Sequence, residues 1–154
     1  MIFEFVKNAG EKMMNFFSND ADNNTKATKI SEFVTGLGLE VNNFAVNVED
    51  DKASLSGDTK TQDTKEKVIL AAGNVEGISQ VEDKINVETA AINPPQFYTV
   101  KSGDTLSKIS KEFYKDPMKY NTIFEANRPM LKSADLIYPG QTLRIPTEQD
   151  TVLA

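Results

Sequence analysis

The chain reads as an α+β protein made of two small domains, and three observations predict that class. Apolar residues recur at three- and four-residue spacing in some segments and with a period of two in others, the signatures of amphipathic helices and half-buried strands. Turn residues bound the alternating runs and separate them from the helical ones. The stretch Glu88 to Pro95 (ETAAINPP) belongs to neither pattern. Its Pro94-Pro95 pair suits neither a helix interior nor a central strand and stiffens the connection into an extended spacer. At 154 residues, 39% hydrophobic and 26% charged, the chain has the composition of ordinary globular material and room for one domain or two very small ones.

From the N-terminus, Ile2, Phe5, Val6, Ala9, Met13, Phe16 and Phe17 predict an amphipathic helix over residues 2–17. Gly10 weakens its middle by about 1 kcal/mol relative to Ala. Glu4 and Glu11 offset Lys7 and Lys12, so the polar face is not basic, and docking on a protein core is expected rather than membrane binding. Ser18 to Thr25 reads as a loop. Ile30, Phe33, Val34 and Leu37 define a second helix, stopped by Gly36 and Gly38. Val46 and Val48 alternate, Glu49-Asp50-Asp51-Lys52 turns, and Ala53 and Leu55 alternate again, a hairpin expected to end near Gly57.

Thr61 to Ala72 is the third helix, its last turns crowded by Val68, Ile69, Ala71 and Ala72. Gly73-Asn74 is expected to stop it through a residue that tolerates left-handed dihedrals. Val81, Ile85 and Val87 then mark a strand. The result is αββαβ over roughly 25–88, one helical layer on a small sheet.

Beyond the linker, Tyr98 and Val100 share one face of a strand over 97–101, and Gly103-Asp104 turns the chain. Asp104 is placed to cap a helix from Thr105 to Phe113, which carries Leu106, Ile109 and Phe113. A further helix over 117–127 holds Tyr120, Ile123 and Phe124. The turn Tyr138-Pro139-Gly140-Gln141 leads to a strand over 142–145, with Leu143 and Ile145. That makes βααβ, followed by a tail from Thr147 to Ala154 that reads as frayed.

Composition narrows the function. The sequence contains no Cys and no His, which removes thiolate nucleophiles, imidazole bases and Cys/His zinc sites; a carboxylate pair could still do acid–base work, so an enzyme is disfavoured. Net charge is −6 and unevenly spread: residues 1–95 hold 9 Lys/Arg against 16 Asp/Glu, the remainder 8 against 7. An acidic first half argues against nucleic acid and anionic lipid and leans towards cations or plain solubility. No apolar run approaches the roughly 20 residues of a membrane span, and charges interrupt Met1 to Phe17, so no secretory signal is read there. A cytoplasmic location is expected.

Two acidic clusters invite a metal reading. Glu49-Asp50-Asp51 is most simply a solvated corner. Asp20-Ala21-Asp22-Asn23-Asn24 lacks the glycine at the sixth position and the closing glutamate of a calcium loop.

Three stretches carry a resemblance. YTVKSGDTLSKIS (Tyr98 to Ser110), IFEANRPM (Ile123 to Met130) and IYPGQTLRIP (Ile137 to Pro146) resemble a LysM domain. VNVEDDKASLSG (Val46 to Gly57) and VEGISQVEDKINV (Val75 to Val87) resemble a BON domain. Preceded by FVKNAGEK (Phe5 to Lys12), this order resembles a family of small bacterial cytoplasmic potassium-binding proteins over residues 3–146.

The resemblance implies a non-enzymatic monomer that senses or buffers K⁺ in osmotic stress, with Rb⁺ and Cs⁺ as candidate competitors. It divides the chain into an N-terminal helical segment (1–24) packing on a BON domain (25–88), a linker (89–96), a LysM domain (97–146) and a tail (147–154). It implies ligation by main-chain carbonyls of Val6, Lys7, Ala9, Gly73, Val75 and Ile78. Backbone oxygens suit K⁺, since each is a partial charge and several together replace its water shell. The sequence offers such carbonyls where Gly10 would interrupt a helix and where the third helix ends at Ala72. Val75 stands where the family pattern leads one to expect Ile, a change that a backbone ligand tolerates.

LysM domains also imply N-acetylglucosamine glycans, here in a groove between Gly103-Asp104-Thr105-Leu106 and Ile137-Tyr138-Pro139. A cap at Asp104 and a turn at Pro139-Gly140 explain the same residues without a ligand. A protein partner for the LysM domain is left open.

Overall fold

A computed structural model describes residues 2–5, 22–75, 77–89 and 96–146. The helix expected over 2–17 does not begin where the spacing suggests. Ile2–Glu4 is a strand, β1, and residues 6–17 lie outside the described residues. The physical reason is a partner far along the chain, described below.

Helix α1 spans Asn23–Gly36 and begins inside the expected loop. Its N-cap is Asp22, whose carboxylate accepts from the Thr25 amide at 2.7 Å. Strands β2 (Asn42–Glu49) and β3 (Lys52–Thr61) form the expected hairpin around Asp50-Asp51. Strand β3 runs through Gly57 rather than ending there. Strand β2 bulges between Asn42 and Ala45 and crosses closely over Gly57, where a Cβ would sit 2.8 Å from Val41 Cγ1 and 2.9 Å from the Asn42 carbonyl oxygen.

Helix α2 (Gln62–Gly73) is capped by the Thr61 hydroxyl and crosses over to β4 (Gln80–Thr89), which pairs with β3 in parallel. Strand β1 adds antiparallel to the other edge of β4, with Phe3 opposite Val81, giving the sheet order β1-β4-β3-β2. The core between sheet and helices is led by Ile30, Val34, Leu55, Val68, Ile69 and Val81.

The C-terminal unit pairs β5 (Phe97–Thr99) with β6 (Thr142–Arg144) and packs α3 (Leu106–Tyr114) and α4 (Tyr120–Ala126) around Ile109, Ile123, Leu131 and Leu143. The expected 117–127 helix is split. Asp116 caps a 3₁₀ turn at Pro117–Lys119 before α4 starts. The cap of α3 is Thr105, which has the extended dihedrals of an N-cap and accepts from the Lys108 amide at 3.1 Å. Asp104, expected in that role, faces back to the strand, where it accepts from the Lys101 amide at 2.8 Å and the Tyr98 hydroxyl at 2.5 Å.

Candidate functional site

The segment from Gly73 to Ser79 joins α2 to β4 and contains three of the candidate ligands. Its entry differs from the expected left-handed stop. Gly73 is still helical, and Asn74 caps the helix at φ −86°, its amide bonded to the Leu70 carbonyl at 3.0 Å. The left-handed residue is Gly77, with φ 94°. The Val75 amide donates to the Ala72 carbonyl, and the Ile78 amide to the Val75 carbonyl, at 3.4 and 3.2 Å. The Val75 and Ile78 side chains are fully buried, which pins the backbone between them to the core.

Gly73 is a glycine for space. A methyl group there would overlap three ring atoms of Phe5, which is itself buried. The Phe5 amide donates to the Ser79 carbonyl at 2.8 Å. Phe5 thus touches both ends of the segment. Val6, Lys7 and Ala9 lie outside the described residues; Gly73, Val75 and Ile78 share one segment, and Phe5 sits against its two ends.

The hairpin turn is less a solvated corner than a brace. The Asp51 carbonyl accepts from the amides of Ser79 and Gln80 at 2.9 and 3.3 Å, and its carboxylate accepts from the Ser79 hydroxyl. Asp50 is tied to α1 through Asn23 and Lys26. Among the described residues no three His, Cys, Asp or Glu side chains converge as a metal site.

The other wall of this region comes from the C-terminal unit. The Asn74 side chain donates to the Thr142 carbonyl at 2.8 Å and accepts from the Thr142 amide at 3.0 Å. Asn127 makes the matching pair to Arg144, accepting from its amide at 2.7 Å and donating to its carbonyl at 2.9 Å. The outer edge of β6 is therefore satisfied by two asparagine side chains in place of a strand. Arg144 reaches across to α2, its Nε 2.9 Å from Glu66 and its Nη1 2.8 Å from Asp63. Burial pushes the Glu66 carboxyl up, and the Arg144 charge beside it only partly offsets this. Phe3 packs on Phe97, ring centroids 5.1 Å apart, and Met130 joins the first core.

Sequence reasoning missed Asn74, Glu66 and Arg144. The signal was there: Val68 to Ala72 are apolar without a break and all buried, the mark of a helix covered on more than one side.

The chain next to the two halves of the expected glycan groove is joined where the Gly140 amide donates to the Val100 carbonyl at 2.8 Å. Gly103 and Pro139 are exposed, and Asp104 and Ile137 partly so. Leu106 belongs to the core, Thr105 to the cap, and the Tyr138 amide bonds the Gln141 side chain at 3.2 Å. The hydrogen bond to Asp104, with burial second, pushes the Tyr98 hydroxyl up to about 12. Burial alone would raise Asp104, but the bonds from Tyr98 and the Lys101 amide outweigh it and hold that carboxyl low. No helix among the described residues is long and apolar enough to cross a membrane.

Comparison with known proteins divides the chain as the architecture does. Residues 22–89 match the BON domain and residues 98–146 the LysM domain. The chain is 47% identical to the potassium binding protein Kbp of Escherichia coli O6:H1 over 148 residues, 96% of this chain and 99% of that protein. Shorter similarities cover the C-terminal part. An uncharacterized protein of Deinococcus radiodurans is 53% identical over 32% of this chain and 19% of its own. The secreted LysM effector Mgx1LysM of Zymoseptoria tritici is 42% identical over 36% of this chain and 55% of its own.

Proposed function

The chain belongs to the family of BON–LysM proteins that includes the potassium binding protein Kbp, and from that premise we propose that it binds one K⁺ ion through backbone carbonyls. The ligands are the carbonyls of Val6, Lys7 and Ala9 from the N-terminal segment and of Gly73, Val75 and Ile78 from the BON domain. The protein acts without catalysis as a cytoplasmic monomer that senses or buffers K⁺ under ionic stress.

The observation that carries this reading is the seat of Phe5. It delivers the chain to the Gly73–Ser79 segment one residue before the first N-terminal ligand. Carbonyl dipoles favour a large monovalent ion, whereas a carboxylate cluster would favour divalent ones. In this arrangement K⁺ bridges residues 1–24 to the BON domain. An ion that binds only the docked form stabilises it by RT ln(1 + [L]/Kd).

Calorimetry with KCl against NaCl and LiCl at matched ionic strength tests the proposal, with RbCl and CsCl as further arms. Heat from K⁺ well above that from Na⁺ and Li⁺ is expected, and equal or absent heats refute it. Lys7→Ala should bind nearly as the native chain does, because only the Lys7 carbonyl is used. Removing residues 1–10 should abolish binding while the LysM domain keeps its fold.

The LysM match supports a second reading, N-acetylglucosamine glycan binding between Gly103–Leu106 and Ile137–Pro139. Titration with chitooligosaccharides is its direct test.

A further inference from the structure

We infer that Phe5 is a positioning residue for the proposed ion site, holding both ends of the Gly73–Ser79 segment. The inference rests on the proposed function.

Three facts about Phe5 meet at one place. Its ring lies where a side chain on residue 73 would be, so only glycine leaves room for it. Its amide is bonded to the Ser79 carbonyl, where the segment turns into β4. The strand just before it, β1, is registered against β4, with Glu4 opposite Gln80. The ring fixes the entry to the segment, the amide fixes its exit, and the β1–β4 pairing removes the freedom to slide. The aromatic is 8% exposed, so the contact is desolvated.

A ligand sphere assembled from two separate stretches of backbone needs such a device. Carbonyl oxygens carry no side-chain freedom with which to correct a misplacement. A shift of about 1 Å in either stretch is enough to spoil a constellation of this kind. Gly73 is then required twice, once for its carbonyl and once for the absence of a Cβ.

The test uses the full-length chain and the same KCl, NaCl and LiCl titrations. Phe5→Ala and Gly73→Ala should each weaken K⁺ binding by at least tenfold, with circular dichroism unchanged in shape. Because both remove one contact, the double variant should be no weaker than the weaker single. Phe5→Leu, which keeps apolar volume, covers the case in which Phe5→Ala fails to fold. Combined with Gly73→Ala, Phe5→Leu should recover part of the affinity lost by Gly73→Ala, since a shorter side chain admits the methyl group.

A role confined to core stability would lower the unfolding midpoint and leave the K⁺-over-Na⁺ preference of the folded variants intact. That result overturns the inference while the proposed function stands. Absence of any K⁺ preference in the native chain overturns both. Protection of the Phe5 amide from hydrogen exchange gives a readout without ion, and it should fall in Gly73→Ala.

Discussion

Replacing Arg144 by Met should separate the two domains, and the size of the effect can be bounded from the structure. Arg144 supplies Glu66 with its charged partner across the interface, and the two side chains are only 10% and 6% exposed. Losing the partner of a buried charge costs about 3–5 kcal/mol. Here that cost has a ceiling, because undocking the LysM domain returns Glu66 to water. The variant therefore opens once the penalty exceeds the docking free energy. Small-angle scattering should show a radius of gyration several ångströms above the native chain, for which a compact body of this length gives about 15 Å.

The effect carries a pH signature. Burial holds the Glu66 carboxyl above its ordinary value of 4.5, so the stability linked to it is fully present below 4.5 and is lost as pH rises through the higher folded value. Without Arg144 the upward push loses its main opponent, and the defect seen at pH 7 should shrink as the pH falls towards 5. Adding Glu66→Leu to Arg144→Met should restore docking, since apolar replacement of both partners is often neutral or better. A single variant with native dimensions and a native urea midpoint at pH 7 would refute this account of the interface.

Two further outcomes follow from side chains that bond backbone. Asn74→Ala leaves the amide and carbonyl of Thr142 buried without partners, at about 1–3 kcal/mol each, and should collapse the exchange protection of the Thr142 amide. Asp104→Ala removes the acceptor whose hydrogen bond, ahead of burial, holds the Tyr98 hydroxyl near 12, so one of the four tyrosines should ionise closer to 10 in an ultraviolet titration. The stability linked to Tyr98 in the native chain is present below pH 10 and lost between 10 and 12. The variant should lose that pH dependence.

The α+β class and the order of helices and strands through β4 after the N-terminal segment were legible because each rests on local periodicity and turn chemistry. The misses share a cause, dependence on something distant. Ile2 to Phe5 is too short to tell a period of two from one of 3.6, and the partner that decides it, β4, lies at the other end of the BON domain. Asp104 and Thr105 are both able caps, and only the backbone dihedrals select Thr105. Gly73 was read through its dihedral freedom, whereas its use is the room it leaves for Phe5. The proposed ion ligands were illegible from residue types, since any residue offers a carbonyl. Resemblance supplied them.

The place of β1 in the sheet has a consequence for how the protein comes into being. It is made well before β4, and Ile2 has no strand partner until Glu82 has been made. Two helices and a hairpin are complete by then, and the closure entropy of so long a loop is met only after they have packed. Strand β1 is accordingly the last strand of its sheet to be placed. The contact of Phe5 with Gly73 and Ser79 is then the final joint of this sheet to close.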